Sequence, residues 1–168
     1  MRKPAFLKFA LFILLAVYSS FYSCAFAEDT ALPSFSIPTV SGSSLSNKSL
    51  QGKVCLLNVW ASWCRYCYYE HAMLMKIKNQ YKVPIYGIAL KDNTPDIKAW
   101  LREHGNPYVA VGEDTYGTAS DKLNVSGTPQ TFVIDKHGRI RYQQSGGIDE
   151  STWNNTLWPL IQKLQAEN

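Results

Sequence analysis

Cys64 and Cys67, separated by two residues, carry the strongest chemical signal in the sequence. Thiol–disulfide exchange needs an attacking thiolate and a second thiol near enough to resolve the mixed disulfide, and three residues of helical rise place both on one face. The pair follows a nearly continuous apolar run, Val54 to Trp60, of the length and composition of a covered central strand. It opens a segment, Cys64 to Tyr81, in which Cys67, His71, Leu74, Ile77 and Tyr81 fall close to one helical stripe. At a helix N-terminus, unpaired N–H groups and the positive dipole end favour a thiolate. Cys64 is therefore expected to attack substrate and Cys67, one turn inside, to resolve. Trp63, just before the pair, and Tyr66, between its two cysteines, are candidate substrate contacts. Tyr66, Tyr68 and Tyr69 read either as an aromatic rim for a polypeptide or as packing with one exposed phenol.

Other uses of the pair are weaker. A disulfide closing a four-residue loop removes little entropy from the unfolded chain, which argues against a purely stabilising bond. As metal ligands, Cys64, Cys67 and His71 supply at most three donors, and no second Cys-x-x-Cys or His-x-His completes a tetrahedral set, so no metal is expected. Cys55, inside the apolar run, reads as a buried inert thiol. Arg65 either lowers the thiol pKa of Cys64 by its charge or is a solvated cation without effect. His71, His104 and His137 read as packing or loop residues.

The elements that must position the dithiol alternate in type. Residues 28–52, rich in Ser, Pro and Gly, suggest an extended entry segment with a small hairpin. Val83 to Leu90 reads as a second strand. Thr94 is a candidate N-cap, with Pro95 at the first helical position and Gly105 as the stop. A short strand at Tyr108 to Val111 and a short helix from Tyr116 to Leu123 follow. Residues 131–135 and 140–143 flank Lys136-His137-Gly138-Arg139 as a hairpin, and a last helix starts at Asp149, with Pro159 expected to kink it. Crossovers first and a hairpin last predict an α/β sandwich on a mixed sheet, with parallel pairing early and an antiparallel pair at the end.

The chain has 168 residues, 46% of them hydrophobic, which suits one packed domain and excludes a disordered chain; four cysteines are too few for a disulfide-dense scaffold. The net charge of +4 is concentrated at the front: Arg2, Lys3 and Lys8 precede an uncharged run from Phe9 to Ala27. With Ala25-Phe26-Ala27 ahead of Glu28, residues 1–27 read as an export signal, or as an uncleaved anchor crossing an inner membrane through residues 9–27. Cys24 falls within this segment, as a spectator or, less well supported, a lipidation site. Both readings place residues 28–168, the expected working domain, outside the cytoplasm. That domain keeps 14 of the 17 basic residues and all 13 acidic ones, so a nucleic-acid role loses its support.

Trp60-Ala61-Ser62-Trp63-Cys64-x-x-Cys67, followed by Gly127-Thr128-Pro129-Gln130-Thr131-Phe132-Val133-Ile134-Asp135, resembles the thioredoxin superfamily. Leu56 to Trp60, Cys67-x-x-Glu70-His71, Lys91-Asp92 and Gly105-Asn106-Pro107-Tyr108 are most similar to the DsbE/CcmG group of cytochrome c maturation thiol reductases, with TlpA-like proteins as relatives. The resemblance runs from about Leu32 to the C-terminal helix. It implies a thioredoxin-like three-layer sandwich with a redox-active Cys64–Cys67 disulfide and no cofactor. It implies a periplasmic reductase of apocytochrome c or its maturation partners, supplied with electrons by a transmembrane thiol reductase. Two alternatives remain: a general thiol oxidant or isomerase, and a Cu(I)-binding assembly chaperone, although the latter usually has three residues between its cysteines.

The resemblance also makes Pro129 a cis-proline facing the dithiol, leaving the Thr128 backbone exposed for strand-like pairing with substrate. Asn58 stands where thioredoxin has a buried aspartate. Glu70, at i+3 from Cys67, is the candidate replacement as proton acceptor; otherwise it is a surface glutamate on a solvated face. Arg65-Tyr66 and Gln130 depart from the group, which often has proline after the first cysteine and glutamate after the cis-proline. Both departures lie beside the dithiol and bear on redox potential and substrate preference.

Overall fold

A computed structural model describes residues 30–167 of the chain. The expected export segment, including Cys24 and the 9–27 run, lies outside them. Six strands form one mixed sheet: β1 (Thr30–Ala31), β4 (Cys55–Trp60), β5 (Ile85–Leu90), β6 (Ala110–Asp114), β7 (Gln130–Ile134) and β8 (Arg139–Ser145), in the order β1-β8-β7-β4-β5-β6. The pairs β4–β5 and β5–β6 are parallel, whereas β4–β7, β7–β8 and β1–β8 are antiparallel. Parallel crossovers thus come first and the hairpin last, as the alternation of elements predicts. A separate hairpin, β2 (Ser36–Pro38) with β3 (Ser44–Ser46), accounts for the Ser- and Gly-rich entry segment.

Every residue of β4 is buried, the property anticipated from its nearly continuous apolar run. Its side chains alternate between two cores, as strand geometry requires. Leu56 and Trp60 join the core under α1 (Arg65–Lys76) and the C-terminal helices. Cys55, Leu57 and Val59 join the one containing Phe35, Leu45, Phe132 and Ala119. The last of these lies on α3 (Thr118–Lys122). Helices and the β2–β3 hairpin therefore cover both faces of the sheet, giving the expected three layers. At Gly112 in β6, an added Cβ would lie 2.5 Å from the Cδ1 of Ile37, so the hairpin packs against bare backbone there.

Two boundaries differ from expectation. The N-cap of α2 (Thr94–His104) is Asn93, whose side chain accepts from the Asp96 N–H; Thr94 lies within the first turn and donates to Glu113 instead. Both residues suit a cap, and the long-range partner on β6 decides between them. The third parallel strand begins at Ala110 rather than Tyr108, because the Tyr108 side chain is drawn into the core. Pro159, expected to kink the last helix, lies in the first turn of its final segment. Its ring would crowd the carbonyl of residue 155 in a regular helix, and a wide π turn at Trp153–Leu157 lies just ahead of it. Helical structure runs from α4 (Glu150–Thr152) through that turn into α5 (Trp158–Ala166).

Candidate active site

The loop leaving β4 brings Cys64 to the N-cap of α1 with extended backbone (φ −86°, ψ 109°). Its Sγ accepts the backbone N–H of Cys67 at 3.1 Å and is bonded to the Cys67 sulfur, with the two Cα atoms 5.3 Å apart. Both residues are buried, Cys64 at 6% exposure and Cys67 at 3%. What distinguishes them is therefore position at the helix end. A thiolate at Cys64 is met by an N–H that has no partner within the helix, and that stabilisation is available only to the first cysteine.

The approach to Cys64 is fixed from below. Asp92, buried after β5, accepts the Ser62 N–H at 2.6 Å, the Ser62 hydroxyl at 3.0 Å and the Asn93 N–H at 2.8 Å. Trp63 is 60% exposed and donates its indole N–H to the Lys91 carbonyl at 3.2 Å. Tyr66 is 71% exposed, and Tyr68 and Tyr69 are exposed on the same helix. The Arg65 guanidinium bonds the Tyr69 hydroxyl at 3.3 Å and lies over its ring, so its contacts run along the helix.

The Thr128–Pro129 peptide bond is cis, and Pro129 immediately precedes β7. Tyr66, Gly127, Thr128, Pro129, Gln130 and Gly146 line a cavity of about 320 Å³. The structure thus brings Tyr66 together with Thr128 and Pro129, whereas Trp63 sits by Lys91. Gly147 joins this wall to the helix, since a Cβ there would lie 3.5 Å from the Cβ of Glu70 and 3.9 Å from Pro129.

Glu70 is 3% exposed, which excludes the solvated-face reading. One carboxylate oxygen accepts the Ile148 N–H at 3.1 Å, and the other accepts Nδ2 of Asn58 at 3.2 Å. Burial pushes its pKa up to about 7; the two hydrogen bonds pull the other way and leave the group able to exchange a proton near neutral pH. Asn58 is itself fully buried, donating to Thr131 Oγ1 at 2.9 Å and accepting the Tyr108 hydroxyl at 2.8 Å. Thr131 and Tyr108 have no local signature of this role: they lie 73 and 50 residues from Asn58. Asp92 is likewise a supporting residue whose task only the fold reveals.

Cys55 is buried beside Lys53 and Tyr86, and burial pushes its thiol up to about 12. His71 packs edge-on against Trp100 and bonds the His104 carbonyl, and burial lowers its pKa. Among the described residues no cluster of three or more His, Cys, Asp or Glu could hold a metal ion.

The Redoxin family matches residues 27–157, most of the chain. The chain belongs to the Redoxin family. This Redoxin-family chain is 42% identical over 117 residues to the thiol:disulfide interchange protein DsbE of Haemophilus influenzae, covering 70% of the chain and 64% of that protein. It thus spans slightly under two thirds of that relative's length. It is also 39% identical over 168 residues to DsbE of Pseudomonas fluorescens, covering 94% of the chain and 93% of the relative. A crystal structure of a thiol:disulfide interchange protein of the thioredoxin family from Chlorobium tepidum superposes with a TM-score of 0.64 at 26% identity, over 84% of this chain and all of that one. The Redoxin-family fold is therefore thioredoxin-like, and the Cys64–Cys67 pair stands at the N-cap of its first long helix.

Proposed function

We propose that the protein is an exported dithiol reductase acting on disulfides of apocytochrome c or of its maturation partners before haem attachment. The observation that carries this is the Cys64–Cys67 disulfide at the N-cap of α1, in a chain about 40% identical to DsbE proteins. The basic and then apolar N-terminal run supports a periplasmic working domain, either released or held at the inner membrane. Exposed Trp63 and Tyr66, with the cavity beside cis-Pro129, suit an extended polypeptide whose backbone pairs alongside Thr128. A transmembrane thiol reductase would return the pair to the dithiol.

In the reducing direction, the Cys64 thiolate attacks one sulfur of the substrate disulfide, forming a Cys64–substrate bond and expelling the other substrate sulfur as a thiolate. The Cys67 thiol then gives its proton to the Glu70 carboxylate, and the Cys67 sulfur attacks that of Cys64. The Cys64–Cys67 bond forms, the Cys64–substrate bond breaks, and the second substrate cysteine leaves as a thiolate. Two electrons pass from the protein dithiol to the substrate.

A Cys67→Ser variant strands the mixed disulfide on Cys64 and tests the assignment in the native periplasm. Recovery of a c-type apocytochrome or a maturation factor supports it. Recovery of many unrelated secreted proteins identifies a generalist and overturns the narrower reading.

A further inference from the structure

We propose that Tyr108 is a positioning residue for proton transfer, its phenol fixing which end of the Asn58 amide faces Glu70. The inference rests on the reading of Glu70 as the proton acceptor of Cys67.

A carboxamide buried in a strand can sit in two orientations related by a half-turn, and its neighbours decide between them. The Tyr108 hydroxyl lies 2.8 Å from Oδ1 of Asn58. Burial, and then the charge on Glu70, hold that phenol well above its ordinary pKa, so it is protonated and can donate. Here the phenol's O–H donates to Oδ1; facing Nδ2 instead, the hydroxyl could only accept, and its own buried proton would lose that bond. Nδ2 then points the other way, and its two N–H groups have two acceptors, Oε2 of Glu70 at 3.2 Å and Oγ1 of Thr131 at 2.9 Å.

The orientation of the amide selects the protonation state of Glu70 that is hydrogen-bonded. As it stands, Asn58 and the Ile148 N–H place a donor on each oxygen, and donors favour the ionised form. In the reversed orientation Oδ1 would face the carboxyl, and only a protonated carboxyl could bond it. Without the Tyr108 hydroxyl, reversal no longer costs a buried phenol its donated bond. The groups meeting Glu70 or its partner are Asn58 from β4, Thr131 from β7, Tyr108 from the segment before β6, and Gly147 and Ile148 after β8. Cys67 lies a turn earlier on the same helix. Of these, Tyr108 and Cys67 titrate, and neighbouring His71 bonds the His104 carbonyl instead.

The test follows oxidation of the reduced full chain by a small disulfide, hydroxyethyl disulfide, from pH 5 to 9 in wild type, Tyr108→Phe, Glu70→Gln and the double variant. Tyr108→Phe is expected to move the rising limb of the profile upward by about one pH unit, a loss of roughly tenfold near pH 6 that closes by pH 9. Within the Glu70→Gln background the same change should leave the profile where it was. A Tyr108→Phe profile parallel to wild type, even if uniformly slower, overturns the proposal alone. A Glu70→Gln profile identical to wild type overturns the reading of Glu70 and this inference with it. If Tyr108→Phe does not fold, 3-fluorotyrosine at position 108 keeps the ring and strengthens the donor. The Glu70 carboxyl titration, followed by carbon NMR, should then shift downward, and an unchanged or raised midpoint overturns the proposal.

Discussion

The Cys67 backbone N–H donates to the Cys64 sulfur at 3.1 Å, so the second cysteine of the pair stabilises the first through its main chain rather than its thiol. This bond survives reduction only if Cys64 remains an acceptor, which a thiolate does far better than a thiol. Alkylation of the reduced protein at pH 7 should therefore modify Cys64 well ahead of Cys67. Cys55, with its thiol pushed up to about 12, should remain unmodified until the chain unfolds. Peptide mapping by mass spectrometry checks the order, and early labelling of Cys55 would contradict it.

Glu70 links the site to stability as a function of pH. Its pKa is raised in the folded protein from 4.5 to about 7, so between those values the folded state retains a proton that the unfolded chain has released. The folded state then binds more protons, and stability falls as pH rises through this window, by an order-of-magnitude figure of about 3 kcal/mol if Glu70 acts alone. Urea unfolding of the oxidised protein at pH 5 and pH 8 should show this loss, and Glu70→Gln should show much less of it.

Asp92 takes three hydrogen bonds from Ser62 and Asn93 while buried. Asp92→Ala strands the Ser62 and Asn93 N–H groups and should cost about 1–3 kcal/mol. Because the loop it holds leads into Cys64, the exchange rate should fall too. Denaturant midpoints and stopped-flow rates on the same samples measure the two effects.

Gly87 lies where Trp60 and Tyr108 stack with ring centroids 5.3 Å apart. A Cβ there would come within 2.9 Å of the Trp60 indole nitrogen and 3.1 Å of the Tyr108 ring. Gly87→Ala must push two rigid rings apart and should destabilise the protein by about 1–3 kcal/mol, seen as a lower urea midpoint.

Tyr66 is almost free of the core, so Tyr66→Ala should change stability by no more than about 0.5 kcal/mol. Its place on the cavity beside Pro129 predicts a raised KM for a polypeptide disulfide and an unchanged rate with hydroxyethyl disulfide. Equal loss on both would assign Tyr66 to the dithiol itself rather than to substrate contact.

The features legible in the sequence are those with a local cause. The nearly continuous apolar run of β4, the helical stripe behind Cys67 and the turn between β7 and β8 each follow from neighbouring residues, and together they restrict the topology to a mixed sheet. The dithiol was legible for the same reason. Asn93 displaced Thr94 as the cap because Thr94 has a partner on β6, a contact no window of sequence contains. Tyr108 reads as the start of a strand by composition, yet its ring stacks on Trp60 and its hydroxyl reaches Asn58, fifty residues away. Glu70 was visible as a carboxylate at the right helical spacing; that it is buried rather than solvated depends on the loop at Gly147 and Ile148 closing over it.

Whether this dithiol donates electrons is decided by its equilibrium potential against a glutathione redox buffer. A value nearer that of thioredoxin, about −270 mV, than that of DsbA-type oxidants, about −120 mV, is expected. A potential at the DsbA end would show that the Cys64–Cys67 disulfide takes electrons from its substrates and would contradict the account.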